Sequence, residues 1–273
     1  MYFQPSTLDQ AVRDAQVDGV RILAGGTDLY PSHGDVLPDF PILDLSRISE
    51  ISGILRTETG WRIGAMTSWS DLIAKDLPRA FDGLKVAARE VGSVQIQNQA
   101  TISGNLCNAS PAADGVPPLL ALDAQVELIG PLGQRLLPLD AFLLGPRQTA
   151  LGPNEILSAI HVPDPANAVS AFRKLGSRKY LVISIAMVAA LMRVQDGKIT
   201  HAHIAVGSCS PVALRLLELE AAVIGRSSIK GVVSPDHLMV LSPIDDVRGS
   251  AAYRRDVVAP LIERTMKAAL ETA

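Results

Sequence analysis

The sequence contains few aromatic residues and few cysteines. Phe, Trp and Tyr together make up 4% of the 273 residues, so the core has to be built mainly from Leu, Val, Ile and Ala. The two cysteines, Cys107 and Cys209, lie far apart and in no Cys-x-x-Cys spacing. Because an iron–sulfur cluster is usually held by four thiolates, this chain cannot hold one by itself. We therefore expect two free thiols, buried or partly buried.

The sequence also lacks runs of positive charge and long apolar stretches. The net charge is −3 and the basic residues form no long run, so no nucleic-acid partner is expected. A stretch of about 18 apolar residues is missing, which predicts no membrane span. The N-terminal segment has neither the cationic start nor the apolar run of a signal peptide. These features predict a soluble cytoplasmic protein.

No acid–base pair or nucleophile constellation stands out in the sequence, so we predict no catalytic side chain on this chain. The five histidines form no metal-ligand pattern either. His201 and His203 alternate on a predicted strand and so share one face, but a third ligand is not visible. We therefore expect a hydrogen-bonded histidine pair and no metal site.

The hydrophobic pattern predicts a chain in which strands and helices are mixed. Compact apolar runs predict buried strands at 20–24, 41–45, 124–129 and 156–162. Hairpins are predicted around Thr59-Gly60 and, between two long β-like runs, around Asp196-Gly197. Helices are predicted from Ser6 to about Gly19, from Ser68, and over 79–91, 212–224 and 250–272.

Three further segments bear on the organisation of the chain. Pro260 is expected to kink or break the last helix, because proline lacks the N–H that a helix needs. Residues 92–100 read as a polar loop. The Pro-rich stretch 163–167 is the clearest boundary between domains.

The first candidate binding motif, the glycine loop, follows the first predicted strand. It comprises Leu23, Ala24, Gly25, Gly26, Thr27, Asp28 and Leu29. Glycines allow a tight turn that brings several backbone N–H groups close to an anion, and a threonine hydroxyl can add a donor. The motif matches neither the Rossmann pattern nor a P-loop. A diphosphate is one natural ligand, and a purely structural turn is the alternative.

The second candidate motif, the threonine segment, covers residues 101–105, and a polar stretch up to Asp114 follows it. Its candidate binding residues are Thr101, Ser103, Gly104 and Asn105. The segment combines small, hydroxyl and amide side chains between apolar runs, and so offers many hydrogen-bond donors with little bulk. Such a segment suits a cofactor with phosphates and sugars, while a polar surface loop is the alternative.

Taken together, the motifs resemble the FAD-binding (medium) subunits of the xanthine dehydrogenase and carbon monoxide dehydrogenase family, the molybdenum hydroxylases. The matching segments, in chain order, are 23–29, 101–105, 110–114, 154–157, 172–178 and 246–255. They cover nearly the whole chain, and their order is more specific than any one of them.

The resemblance implies an α+β fold with a FAD-binding domain of the PCMH, or vanillyl-alcohol-oxidase-like, type. Two α/β subdomains, 1–53 and 54–165, would form this domain. A C-terminal domain, 168–273, would carry a small antiparallel sheet and helices.

The resemblance also implies roles for individual residues. The glycine loop would wrap the FAD pyrophosphate, and the threonine segment would form a second wall around the phosphates and the ribityl chain. Asp114 would accept a hydrogen bond from a cofactor hydroxyl or ring edge. Leu157 would pack near the flavin ring, and Lys174 would lie at its polar edge, where a cation stabilises negative charge on reduced flavin.

Some positions depart from the family pattern or leave a role open. Ser103 stands where many relatives have glycine and could add one hydrogen bond. Val91 stands where some relatives place an aromatic residue, which leaves stacking on the flavin open. Trp69 and Tyr180 could cover a flavin face, or could be half-buried packing residues.

The function that the resemblance implies is electron exit from a multi-subunit enzyme. A large subunit with a molybdenum cofactor would oxidise the substrate, and [2Fe–2S] clusters on a small subunit would pass electrons to FAD on this chain. NAD, a quinone or oxygen would then accept them, and the complex would be a dimer of heterotrimers. The alternatives are a self-contained flavin oxidase or reductase of the same fold, and a scaffold that has lost flavin.

Overall fold

The structure is a computed structural model that describes residues 1–34, 36 and 38–272. Its N-terminal layer is a parallel sheet of three strands. In chain order the strands are β1 (Tyr2–Phe3), β2 (Arg21–Leu23) and β3 (Ile42–Asp44), and β3 is central. Helix α1 (Leu8–Asp14) joins β1 to β2 and is capped by Thr7, whose hydroxyl accepts a hydrogen bond from Gln10 N.

An antiparallel sheet forms the second layer. Its strands, in spatial order, are β4 (Ile54–Arg56), β5 (Gly60–Gly64), β10 (Ile156–Pro163), β6 (Gln125–Gly130) and β7 (Gly133–Pro138). The predicted hairpin around Thr59-Gly60 is confirmed as β4–β5. Between β5 and β6 the chain forms α2 (Trp69–Ala74), α3 (Asp82–Glu90), α4 (Val94–Gln99), α5 (Ile102–Asn108) and α6 (Val116–Ala121). Helix α7 (Leu139–Phe142) and the small hairpin β8 (Leu143–Gly145) and β9 (Gln148–Thr149) lead to β10.

The polar loop predicted for residues 92–100 is wrong, because helix α4 occupies most of it, and α5 follows at once. Ser93 and Thr101 act as N-caps of α4 and α5, since their hydroxyls accept hydrogen bonds from Ile96 N and Gly104 N. The buried amide of Gln97 donates to two backbone carbonyls and fixes α4 in place. Capping hydroxyls and tertiary burial therefore override a composition that is typical of a loop.

A second antiparallel sheet follows the Pro-rich stretch, with its strands in sequence order. They are β11 (Val169–Leu175), β12 (Ala186–Gln195), β13 (Lys198–Gly207) and β14 (Leu214–Arg215). The predicted hairpin at Asp196-Gly197 is confirmed, and both residues have positive φ. Helix α8 (Leu217–Val223) begins later than predicted, because β14 takes the first residues of that segment.

Helix α9 (Ala251–Leu270) packs on β11 and β12 and contains Pro260 within its bounds. The expected break at Pro260 is therefore wrong. Pro260 lies on the exposed side of a helix whose other face is buried, so packing holds the helix together across the missing hydrogen bond. None of the helices in the described ranges is long and apolar enough to cross a membrane.

Two hydrophobic clusters form the core, one around the first two sheets and one between the last sheet and α8 and α9. Helices α3 and α6 join the two parts, because they pack against β11, β12 and β13. Short 3-10 turns at Ser49–Ile51, Arg79–Phe81 and Asp236–Leu238 complete the described structure. The packing brings the end of β2, the helices after β5 and the loop before β12 around one cavity.

Candidate functional site

The cavity formed in this way, the cofactor cavity, has a volume of about 1020 Å³. That lies at the upper end of the range for small-molecule and cofactor sites, and therefore suits an extended ligand. Residues from four stretches of chain line it, at 22–32, 90–114, 147–157 and 181–183, together with Leu45 and Trp69. All seven residues of the glycine loop and all four candidates of the threonine segment are among the lining residues, as are Asp114 and Leu157.

The glycine loop is held directly against the residues that precede the threonine segment. A Cβ atom on Gly25 would lie 2.1 Å from Gln99 O and 2.9 Å from Ala100 Cα, so only glycine fits there. Gly26 has a φ of +71°, and a Cβ on it would lie 2.8 Å from the Tyr30 ring. The two glycines therefore have separate structural reasons, one a close approach of backbones and the other a left-handed turn.

The threonine segment is a helix start, with its side-chain hydroxyls turned inward. Thr101 Oγ1 accepts a hydrogen bond from Gly104 N at 3.1 Å and caps α5. Ser103 Oγ donates to Ala65 O at 2.6 Å, so the extra hydroxyl forms its bond within the protein. Because these two hydroxyls bond within the protein, the groups of the segment that remain to contact a ligand are its backbone, at Gly104 above all, and the Asn105 amide.

Two buried polar atoms in the cavity wall have no hydrogen-bond partner within the protein. These atoms are Asn105 Oδ1, an acceptor, and Trp69 Nε1, a donor. Both side chains lie against Gly115, where a Cβ atom would come within 2.9 Å of Asn105 Oδ1 and 2.5 Å of Trp69 Cη2. Both atoms have almost no accessible surface, so neighbouring protein atoms cover them and they do not face a ligand directly. The fit to a polar cofactor such as FAD comes instead from small polar residues that line the cavity, among them Thr27, Asn108 and Ser110.

A buried ion pair lies behind one wall of the cavity. Lys174 Nζ donates to Asp114 Oδ2 at 2.6 Å, and Ser184 Oγ donates to Asp114 Oδ1 at 2.6 Å. Burial raises the pKa of Asp114, and Lys174 and Ser184 offset only part of that rise. Asp114 lines the cavity but Lys174 does not, so the Lys174 ammonium is directed at Asp114 instead of standing free in the cavity.

Sequence reasoning missed several residues of the wall, because they come from distant parts of the chain. Arg147 lines the cavity from the turn between β8 and β9, and Leu181, Val182 and Ile183 line it from the loop before β12. A Gly-Pro pair just before Arg147 was the available signal for a turn there.

Four residues that the sequence left open have defined positions. Trp69 is fully buried in the cavity wall, and Val91 lines the cavity. Tyr180 is not a lining residue, although its neighbour Leu181 is. Cys107 is exposed and lines the cavity. Cys209 is buried, and both thiols are free as predicted, but the expected burial of both is wrong because it holds for Cys209 alone.

The two strand histidines share a face, as predicted, with ring centroids 4.2 Å apart. Their hydrogen bonding differs from the prediction, because His203 Nδ1 lies 2.7 Å from Ala121 O instead of bonding to His201. In the described part of the chain, no three His, Cys, Asp or Glu residues are grouped as a metal site would need. His203 therefore joins α6 to the last sheet.

Comparison with known proteins places the chain in a family. Residues 1–165 match the model of the FAD binding domain in molybdopterin dehydrogenase, and residues 170–269 match that of the CO dehydrogenase flavoprotein C-terminal domain. The chain is 31% identical to the carbon monoxide dehydrogenase medium chain of Hydrogenophaga pseudoflava, over 98% of this chain and 96% of that one. It is 30% identical to the xanthine dehydrogenase FAD-binding subunit of Escherichia coli O157:H7, over 100% and 96% of the two chains.

A solved structure agrees with these matches. Carbon monoxide dehydrogenase from Hydrogenophaga pseudoflava, in a form that lacks the Mo-pyranopterin moiety of the molybdenum cofactor, superposes with a TM-score of 0.92 at 32% identity. The match covers 99% of this chain and 96% of that one. The predicted α+β fold with a FAD-binding domain is confirmed, and FAD is the cofactor of this family's domain. The chain therefore belongs to the molybdenum hydroxylase family as a FAD-binding medium subunit, an oxidoreductase component.

Proposed function

We propose that this chain binds one FAD in the cofactor cavity and serves as the electron-exit subunit of its complex. It accepts electrons from [2Fe–2S] clusters on a small subunit, which take them from a molybdenum cofactor on a large subunit. It then passes them to an external acceptor such as NAD, a quinone or oxygen. The observation that carries the proposal is the cavity itself, which the whole glycine loop and the four candidate residues of the threonine segment line together.

Within this proposal the glycine loop holds the FAD pyrophosphate by its backbone N–H groups, because the tight turn that Gly25 and Gly26 allow lies on the cavity. The backbone of the threonine segment, with Gly104 and the Asn105 amide, forms the facing wall. Leu157, in β10, packs on a ring of the cofactor. When bound, FAD supplies the redox chemistry, and the protein positions it and sets its electrostatic surroundings.

We propose an indirect role for Lys174, because it lies behind Asp114 and does not line the cavity. Its side chain is 6% exposed and its ammonium is bonded to Asp114, so it acts on the cofactor through that carboxylate. Lys174 and Ser184 fix the orientation of Asp114, and Asp114 presents its carboxyl to the cavity. Asp114 is thus the group that contacts FAD, and Lys174 is a positioning residue.

The surface beside the cavity suits a partner chain. Tyr180, Leu181 and Ile183 are 64%, 54% and 51% exposed, and Leu181 and Ile183 also line the cavity. Adjacent exposed apolar side chains are typical of an interaction surface. Since this chain has two cysteines and no iron–sulfur cluster of its own is expected, the proposed cluster donor docks from outside. A dimer of heterotrimers is the assembly we propose.

An absorption spectrum of the gently purified chain tests the FAD proposal. We expect flavin bands, or their appearance when FAD is added to the apo chain and the excess is removed. Absence of flavin under both conditions would overturn the proposal.

Isolation of the chain from its native source tests the electron-exit role. We expect iron and molybdenum to co-purify with it in fixed ratio to the flavin. If the flavin-loaded chain instead runs alone and oxidises a substrate by itself, the self-contained flavoenzyme is the correct function.

A further inference from the structure

Arg147 occupies a corner of the β8–β9 hairpin that favours a different residue. Gly145 pairs with Gln148, so Pro146 and Arg147 form the two-residue turn. Arg147 has a φ of +60°, in the left-handed region. Proline followed by a residue of positive φ is the pattern of a type II turn, in which glycine or asparagine is preferred at the second corner. The arginine is therefore present despite the local backbone preference.

The Arg147 corner is tied to the end of α5, on the rim of the cofactor cavity. Arg147 N donates to Ala109 O at 2.9 Å, and the guanidinium donates to the backbone and side-chain oxygens of Asn108. Ala109 also has a positive φ, of 45°. Two unfavourable backbone conformations thus meet at one point of the rim, and such conformations cluster at ligand-binding sites.

Charge gives a reason for the arginine at this corner. Among the described residues that line the cofactor cavity, Arg147 is the only lysine or arginine, whereas Asp28, Glu90 and Asp114 are acidic. Among the described residues, no carboxylate lies within 4.0 Å of its guanidinium. The guanidinium forms its hydrogen bonds with the neutral oxygens of Asn108. A ligand with a diphosphate would bring negative charge into a wall that is otherwise acidic.

We propose that Arg147 selects FAD by binding its anionic adenosine diphosphate half, the part that riboflavin lacks. This inference rests on the proposed FAD site and adds a recognition residue to it. A guanidinium pairs with phosphate oxygens through two parallel N–H donors, which gives both affinity and direction. The Asn108 contacts hold the guanidinium at the rim before the cofactor arrives.

The test compares FAD and riboflavin binding to the apo form of the full chain, by titration of flavin fluorescence, in wild type, Arg147→Gly and Arg147→Lys. Arg147→Gly should weaken FAD binding roughly tenfold or more and leave riboflavin binding unchanged. The same variant should raise the melting temperature of the apo chain, because glycine relieves the left-handed corner. Arg147→Lys should retain more FAD affinity than Arg147→Gly, since it keeps the charge.

Arg226→Ala is the matched control, because Arg226 is an exposed arginine whose side chain donates to Ala222 O, four residues earlier in the chain. It should leave both affinities unchanged. Equal FAD affinity in wild type and Arg147→Gly would overturn the inference, and so would an equal loss for FAD and riboflavin, which would indicate a structural role. The inference would also be overturned if the wild-type chain bound FAD no more tightly than riboflavin. Wild type that binds no flavin at all would instead overturn the FAD proposal.

Discussion

Gly25 is where the glycine loop touches the residues just before the threonine segment, and no side chain fits at this position. Because a Cβ atom would lie 2.1 Å from Gln99 O, Gly25→Ala has to push the glycine loop away from the residues before α5. Overpacking of this kind costs about 1–3 kcal/mol, so FAD affinity should fall roughly tenfold. A titration of the apo chain with FAD measures the change.

Gly249→Ala is a suitable control for Gly25→Ala. Gly249 has an ordinary φ, and an added Cβ would meet only side-chain atoms, at 3.3 Å or more. Its FAD affinity should equal that of wild type. Unchanged affinity in Gly25→Ala would show that the two motifs do not form the cofactor wall together.

The Asp114–Lys174 pair can be tested by removing one charge. Asp114→Asn leaves the Lys174 ammonium buried without a counter-charge, which destabilises a fold by about 3–5 kcal/mol. Urea unfolding of the apo chain measures this loss. Asp114→Asn combined with Lys174→Met removes both charges and should recover most of the stability.

The half-exposed pair of Arg56 and Asp164 provides the comparison, since Asp164→Asn there should change stability little. If the Asp114→Asn variant is no less stable than Asp164→Asn, the buried pair does not hold the cavity wall.

The central antiparallel sheet contains a polar cluster that predicts a pH effect. Glu127, on β6, accepts hydrogen bonds from Arg62 of β5 and from Ser158 and His161 of β10. Burial opposes ionisation of Glu127, but these three donors outweigh it, and the net effect lowers its pKa below the ordinary 4.5. A carboxylate with a lowered pKa in the folded state stabilises the fold above its unfolded pKa, and the contribution is lost as pH falls through the folded value.

We therefore expect Glu127→Gln to be less stable than wild type at neutral pH, with the difference shrinking as pH falls below about 4.5. Thermal unfolding of both proteins across this range measures the difference. A difference that stays constant, or grows, as the pH falls would contradict the assignment of Glu127 as the ionised centre of the cluster.

Much of the strand arrangement is predictable from local sequence. The Asp196-Gly197 and Thr59-Gly60 turns set their hairpins, because the flanking runs are strongly β-like and the turn residues favour the required backbone. Helices α4 and α5 were not predictable in the same way. Ser93 and Thr101 can start a helix or a polar turn, and only packing of Gln97 and its neighbours decides between them. Pro260 shows the same limit, since burial of one helix face outweighs a local break.

The candidate site was predictable where it is continuous in sequence and hidden where it is not. The glycine loop and the threonine segment each have a recognisable composition. Arg147 and Leu181–Ile183 reach the cavity only through tertiary packing, and the partner of Lys174 depends on where β11 places it beside Asp114. The ligand contacts of the individual residues, the domain limits at 53 and 165, and the cytoplasmic location stay predictions.

Distant parts of the chain surround the cofactor cavity, since the lining residues come from the first two sheets, the helices after β5 and the loop that joins β11 to β12. FAD should therefore stabilise the whole fold, by about 2.7 kcal/mol at a free concentration of about 100 times its Kd. Hydrogen exchange of the chain with and without FAD should show slower exchange in 22–32, 90–114, 147–157 and 181–183 together. Protection confined to the first two stretches would mean that the last sheet does not take part in binding.

The residues that line the cofactor cavity are spread from 22 to 183, and this spread determines when the cavity can form during protein synthesis. A ribosome adds about 5–20 residues per second, and domains fold largely as they emerge. The glycine loop and the threonine segment leave the ribosome well before Leu181–Ile183, so the cavity of the nascent chain at first lacks one of its walls. Tight loading of the flavin therefore has to wait until the last sheet has been translated and has docked on α3 and α6.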